Sequence, residues 1–251
     1  MPKVKTAPVS LTTAKSRGRL QNRILASLPE RELDDISPHI QLLSLQQGEI
    51  LHEQDAAMRY AYFFNSGLDS TVAIMKNGES TEVAVSGKEG FVGAALLLDV
   101  NSTPYRALVQ VSGEAIAIPA DKFGECVDRN AKLRWLGHRF LQAHTVQIMQ
   151  TSACNRLHEA DQRLARWLLL AQDRLGNNYI PLTQEFLATM LGIRRESVGI
   201  AIKSLEKCKC IDSRRSLLTI TDRAGLEKAS CECYRVVRNE FDRLLFPPAV
   251  Q

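Results

Sequence analysis

Two adjacent residues of opposite charge, Arg195 and Glu196, carry the most specific chemistry in this 251-residue chain. An arginine guanidinium can donate two parallel hydrogen bonds to guanine O6 and N7, and a glutamate can accept one from cytosine N4. Phosphates repel a carboxylate, so its place beside arginines points to base reading rather than to general charge attraction. Base edges are reached only by side chains delivered into the groove, and the surrounding chain must do the delivering. Leu182, Phe186, Leu187, Met190 and Leu191 recur at helical spacing and give one apolar face. Thr183 can cap that helix with its hydroxyl, and Gly192 can end it in the left-handed conformation. A second helix then buries Val198, Ile202 and Leu205 and leaves Arg195, Glu196, Gly199 and Lys203 on the other side. One helix braces while the second offers its N-terminal half, which is the division of labour of a helix-turn-helix. The alternative is a solvated face on an ordinary helical pair.

The stretch LTQEFLATMLGIRRESVGIAIKSLE resembles the helix-turn-helix of the Crp/Fnr transcription regulators. In their cyclic-AMP receptor branch the pattern Arg-Glu-(Ser/Thr)-Val-Gly opens the recognition helix. Arg195, Glu196, Ser197, Val198 and Gly199 match it position by position. The resemblance implies an α+β chain: an N-terminal cyclic-nucleotide-binding-like β-roll, a long dimerisation helix and a C-terminal winged helix-turn-helix. It implies double-stranded DNA and a second copy of the chain as partners, with RNA polymerase as a further one. In one place the chain departs from the family, which often has an arginine directly after the glycine where this chain has Ile200. One base contact is therefore expected to be missing, at roughly 1–3 kcal/mol of discrimination.

Composition fits such a regulator. The hydrophobic fraction of 45% and charged fraction of 24% are those of an ordinary globular protein. No run of eighteen apolar residues is present, and the N-terminus lacks the apolar core of a signal peptide, so the protein is expected in the cytoplasm. Its six cysteines are then expected as reduced thiols. No Gly-rich phosphate loop or nucleophile motif argues for an enzyme. The net charge of +4 is unevenly spread: +6 over residues 1–23, −6 over 24–150 and +4 over 151–251. A basic C-terminal part behind an acidic middle agrees with nucleic-acid binding at one end.

Residues 1–20 lack periodicity and read as a disordered basic arm. Residues 21–129 read as the β-roll domain, opened by an amphipathic stretch from Arg23 to Ile36 that Pro29 breaks. From Ile40 to Ile118 short strands alternate with turn signals. A hairpin is expected across Asn65-Ser66-Gly67, and a second across Asn77-Gly78 in a type I′ turn. Two more strands flank Gly113. In cyclic-AMP-binding members of the family, a Gly-Glu cassette holds the ribose and the arginine of Arg-Ser-Ala neutralises the phosphate. The corresponding pieces here are Gly93-Ala94-Ala95 and Tyr105-Arg106-Ala107. The glutamate is absent, and aligning the alanine shifts Arg106 to the opposite face of its strand, while an alignment that keeps Arg106 in place still lacks the acid. A buried phosphate without its charge partner is costly, so this degenerate pocket is not expected to bind a cyclic nucleotide, and no cofactor is assigned. The family's iron–sulfur branch needs cysteines near the N-terminus, and the first here is Cys126. Nothing about His39, His52 or His138 favours a haem.

Residues 130–156 read as the dimerisation helix, with Leu133, Leu136, Phe140 and Ile148 on its apolar side and His144 and Gln147 interrupting the seam. Residues 157–251 read as the winged helix-turn-helix domain. Its wing spans CIDSRRSLLTITD with Arg214 and Arg215 near the tip, and these two, with Thr183, Arg194, Ser197 and Lys203, are the candidate phosphate contacts. One final helix is expected from Asp222 to Leu245. Cys208-Lys209-Cys210 and Cys231-Glu232-Cys233 form two C-x-C pairs, but structural zinc sites favour C-x₂₋₄-C. These cysteines are expected to pack as small apolar residues, and no metal is assigned.

Overall fold

Short apolar-rich runs make the strands of the N-terminal half, and Gly67 and Gly113 stand at the corner where the chain passes from one sheet to the other. The computed structural model describes residues 7–8 and 20–246, so the expected basic arm falls outside the described residues apart from Ala7, Pro8 and Leu20. The strands are β1 (Ala7–Pro8), β2 (Gln41–Leu45), β3 (Ile50–His52), β4 (Tyr60–Phe64), β5 (Leu68–Ile74), β6 (Ser80–Ser86), β7 (Arg106–Val111) and β8 (Gly113–Pro119). One sheet has the order β1-β2-β8-β4 and the other β3-β7-β5-β6. Between them Leu43, Leu45, Phe64, Val109 and Ala115 form a buried core, so the roll is β-rich and filled by its own side chains.

The hairpin expected across Asn65-Ser66-Gly67 does not form, because β4 and β5 lie in different sheets. The Asn65 and Ser66 N–H groups both donate to the Glu114 carbonyl, at 2.8 and 3.1 Å. Here the corner from β4 to β5 lies against the corner from β7 to β8. A Cβ on Gly67 would fall 2.5 Å from the Val111 oxygen, and one on Gly113 2.2 Å from the Ser66 oxygen. Backbone therefore packs on backbone, which only glycine permits. The Asn77-Gly78 hairpin forms, but its turn is not type I′. Of its residues only Gly78 has positive φ, 86°. The Met75 carbonyl accepts from Gly78 at 2.9 Å, and the Met75 N–H donates to Glu79 at 2.8 Å. That is a type I turn followed by a left-handed glycine, the three-residue hairpin.

Ahead of the roll, Asn22 is fully buried and satisfied. Its Oδ1 caps α1 (Arg23–Ala26), while its Nδ2 donates to the carbonyls of Phe64 and Gly90 at 3.1 and 2.8 Å. Pro29 precedes α2 (Glu30–Ile36), where a missing N–H costs nothing. After β8 come α3 (Ala120–Arg129) and α4 (Ala131–Leu157). Phe63, Phe91, Phe123 and Phe140 join α3 and α4 to the roll, with Phe91–Phe140 ring centroids 4.9 Å apart. A Cβ on Gly90 would lie 2.2 Å from the Phe140 ring, so the glycine makes room for it.

By its contacts the chain divides into residues up to Thr71 with Val85–Gln142, and Val72–Ala84 with the residues from Ala143 on. The division falls inside α4 rather than after it. The second unit contains α5 (Ala160–Leu175), β9 (Tyr179–Ile180), α6 (Gln184–Leu191), α7 (Arg195–Lys207), β10 (Ile211–Arg214), β11 (Leu217–Ile220), α8 (Arg223–Ala229) and α9 (Cys233–Leu245). The single final helix expected from Asp222 to Leu245 is thus two, broken at Ser230 to Glu232. Asp222 caps α8 through Gly225 at 3.0 Å, and Ser230 is already extended. No helix among the described residues is long and apolar enough to cross a membrane.

Candidate nucleic-acid interface

The recognition helix rests on α5, whose start is fixed by a capping box between Glu159 and Gln162. Leu164, Trp167 and Leu168 are buried. Arg163, also buried, donates to the Leu191 carbonyl at the end of α6 and to Asn155 Oδ1 at 3.0 Å. It thereby satisfies an acceptor that the helix end leaves open. Thr183 Oγ1 accepts from the Phe186 N–H at 3.2 Å and so caps α6. Gly192 ends that helix at φ 59°. The turn also has a neighbour, since a Cβ on Gly192 would lie 2.8 Å from Thr81 Oγ1. Thr81 belongs to the β5–β6 hairpin, where Glu82 accepts the Trp167 indole N–H at 2.8 Å.

α7 buries Val198, Ala201, Ile202 and Leu205 and exposes Arg195, Glu196, Ile200 and Lys203. Arg195 is its first residue and Glu196 its second, so both stand at the N-terminal end of the helix, the end a helix-turn-helix presents to a groove. Ser197 and Gly199 are half-buried and Arg194 is exposed just before the helix. Ile200 is 70% exposed, a large apolar side chain held in water on the reading face. Beside it a groove is lined by Gln184, Glu196, Gly199, Lys203, Glu206 and Ser213. Sequence reasoning misses Gln184 and Ser213; the one signal for Gln184 is its polarity at the first position of α6.

The wing is a three-stranded sheet of order β10-β11-β9. Arg214 pairs with Leu217 in register, which puts Arg215 at the tip with φ 54°. Arg214 Nε lies 2.8 Å from Asp212 Oδ2 on the surface. The wing is tied to the recognition helix, because the Ser213 N–H donates to Glu206 Oε1 at 3.1 Å. The third strand, β9, is not legible in the sequence: two residues after Gly176-Asn177-Asn178 are too few to show a period.

The remaining candidate residues fall elsewhere. Gly93, at φ 98°, precedes a 3₁₀ turn, Ala94–Leu98, so Ala94 and Ala95 begin a turn. Tyr105 is exposed. Arg106 opens β7 on the face opposite the buried Ala107, and its Nε is 2.7 Å from Glu53 Oε1. That hydrogen bond holds the Glu53 carboxyl below its ordinary value.

Of the expected dimer-helix residues, Leu133, Leu136 and Phe140 are buried within the chain itself and are spent on its own core. Ile148 is exposed, as are Trp135 and Met149. Gln147 does not interrupt an outer seam: it is buried against α5 and accepts from Arg174 Nη2 at 2.5 Å. His144 is on the same side, where burial and the Arg174 charge lower its pKa to about 4. Cys208 is exposed, whereas Cys210, Cys231 and Cys233 are buried.

The chain matches two family models: the cyclic nucleotide-binding domain over residues 42–130 and the Crp-like helix-turn-helix domain over residues 162–229. No curated protein matches it. Its fold is similar to that of FixK2 from Bradyrhizobium japonicum, with TM-score 0.66 at 15% identity over 76% of this chain and 98% of that one. A CRP-family transcriptional regulator from Thermus thermophilus gives TM-score 0.60 at 19% identity over 74% and 95%. The c-di-GMP-responsive global regulator of Xanthomonas campestris gives 0.59 at 14% over 81% and 98%.

Proposed function

As a member of the Crp/Fnr family of transcription regulators, the chain carries a DNA-binding helix-turn-helix, and we propose that two copies read a twofold-symmetric DNA site without control by cyclic AMP. The observation that carries this is the exposed face of α7. Arg195 and Glu196 stand at its start, on a helix whose other side is wholly buried. In this reading Arg195 and Glu196 contact base edges, and Gly199 lets the backbone approach them closely. Thr183, Arg194, Ser197, Lys203, Arg214 and Arg215 face phosphates, which position the protein without selecting sequence. Ile200 meets an apolar feature such as a thymine methyl, where the family's arginine would meet a guanine.

One short helix reads few base pairs, and a twofold dimer doubles the site. The pairing surface proposed here is the outer side of α4 at Leu141, Thr145, Ile148 and Ser152, which are spaced by four, three and four residues as in a coiled-coil seam. Leu133, Leu136 and Phe140 support the same helix from inside. RNA polymerase is the further partner that a regulator acting at promoters would have. Control by cyclic AMP is disfavoured because Arg106 already holds Glu53 and no acid stands in the Gly93-Ala94-Ala95 segment.

The test is selection of bound sequences from random duplex DNA by the full-length protein. The reading requires enriched sites with two inverted half-sites. Enrichment of single half-sites, or none, would count against it.

A further inference from the structure

The break between α8 and α9 has a chemical result. It places Cys231 just before α9 and Cys233 at the first position of that helix. Both face the end of α4, where Cys154 stands in the last turn and His158 directly follows the helix, its N–H donating to the Cys154 carbonyl at 3.2 Å. The three sulfurs and the imidazole each offer one ligand atom, and all four lie within 4.8 Å of one another. Cys154 Sγ is 3.6 Å from Cys231 Sγ, and Cys233 Sγ is 3.6 Å from His158 Nδ1. The cysteines are buried and His158 is mostly so.

We propose that Cys154, His158, Cys231 and Cys233 form a tetrahedral Cys₃His site for a zinc ion. A tetrahedron with Zn–S of about 2.3 Å and Zn–N of about 2.0–2.1 Å has edges of roughly 3.8 Å between sulfurs and roughly 3.5 Å between sulfur and nitrogen. Both measured separations match those edges. The surrounding shell is also that of a metal site. His158 directs Nδ1 at the cluster while its Nε2 lies 3.2 Å from Glu232 Oε2, the carboxylate–histidine arrangement that fixes a ligating tautomer. Gln150 Nε2 is 3.1 Å from Cys233 Sγ and can donate to its thiolate. On binding, the three thiols release their protons to solvent as three S–Zn bonds form.

C-x-C alone is an awkward bite for one ion, which is why the sequence argued against zinc. The geometry removes that objection. Cys208 and Cys210 take no part, and the other two ligands come from the C-terminal end of α4 and the residue just after it, more than seventy residues upstream. A disulfide between Cys154 and Cys231 would use two of the four groups and leave Cys233 and His158 facing each other unexplained.

Full-length protein purified under nitrogen without chelators should carry stoichiometric zinc by mass spectrometry of the metal. Cys154→Ser, Cys231→Ser and Cys233→Ser should lose it, and Cys208→Ser should keep it. Because buried variants can unfold, two further measurements decide independently. Cobalt(II) added to the metal-stripped wild-type protein should give the intense visible absorption of tetrahedral thiolate cobalt. Glu232→Gln, whose side chain is exposed, should bind cobalt about 10–100-fold more weakly while remaining folded. Metal-free wild-type protein that gives no such absorption would overturn the proposal. So would an intact mass two hydrogens short under nitrogen, which would assign the pair to a disulfide.

Discussion

Arg106 and Glu53 form an ion pair at 2.7 Å between the start of β7 and the residue that follows β3. The one arginine close to the family's phosphate-binding position thus has a partner already, on the face opposite the buried Ala107. A cyclic phosphate would have to break this pair or go without a cation. Calorimetric titration with cyclic AMP or cyclic GMP should show no micromolar binding. Heat of binding in that range would reverse the interpretation of this segment.

Base and phosphate contacts should separate under mutation. Arg195→Ala and Glu196→Ala should each relax specificity at one or two base pairs per half-site, by about 1–3 kcal/mol at each. Arg215→Ala should weaken all sequences similarly and lower the salt slope by about 1. Ile200→Arg should add a preference for guanine at one position. Identical selection profiles for Arg195→Ala and Arg215→Ala would refute the division of roles.

Dimerisation can be tested at two faces of one helix. Ile148→Glu should shift the sedimentation of the protein toward monomer with its fold intact. Leu133→Ala should instead lower the unfolding free energy by about 2–5 kcal/mol, as expected for a buried leucine. If Ile148→Glu sediments as the wild type does, the seam is placed wrongly.

His144 should make stability pH-dependent. Its folded pKa, about 4, is below its ordinary 6.5, so the unfolded chain takes up the proton first. The neutral imidazole's contribution is complete above pH 6.5 and is lost as pH falls from there toward about 4. The slope reaches at most one proton, on the order of 1.4 kcal/mol per pH unit. Denaturant melts of His144→Gln should be flatter than those of the wild type across that window.

The helix-turn-helix was legible because its signals are local: a cap at Thr183, a left-handed glycine at Gly192, and an apolar period between them. What was illegible depends on partners far along the chain. Gly67 looked like a hairpin residue, and only the approach of Gly113 shows that it turns a sheet corner. Leu133 and Phe140 looked like a pairing seam because a period shows that a face is buried, not what buries it. Likewise nothing near Cys231 announces Cys154.

The short β9, which pairs with β11 through Tyr179 and Ile180, has a wider bearing. The strand entering the two-helix unit is stitched to the second strand of the wing that follows it, and Glu206 fastens the second helix to the wing's first strand. The unit therefore behaves as a caliper locked at one opening: the distance from the start of α7 to the wing tip at Arg215 is not free to be reset by sliding a helix. A descendant of this protein seeking new operators would have to trade side chains on a fixed frame.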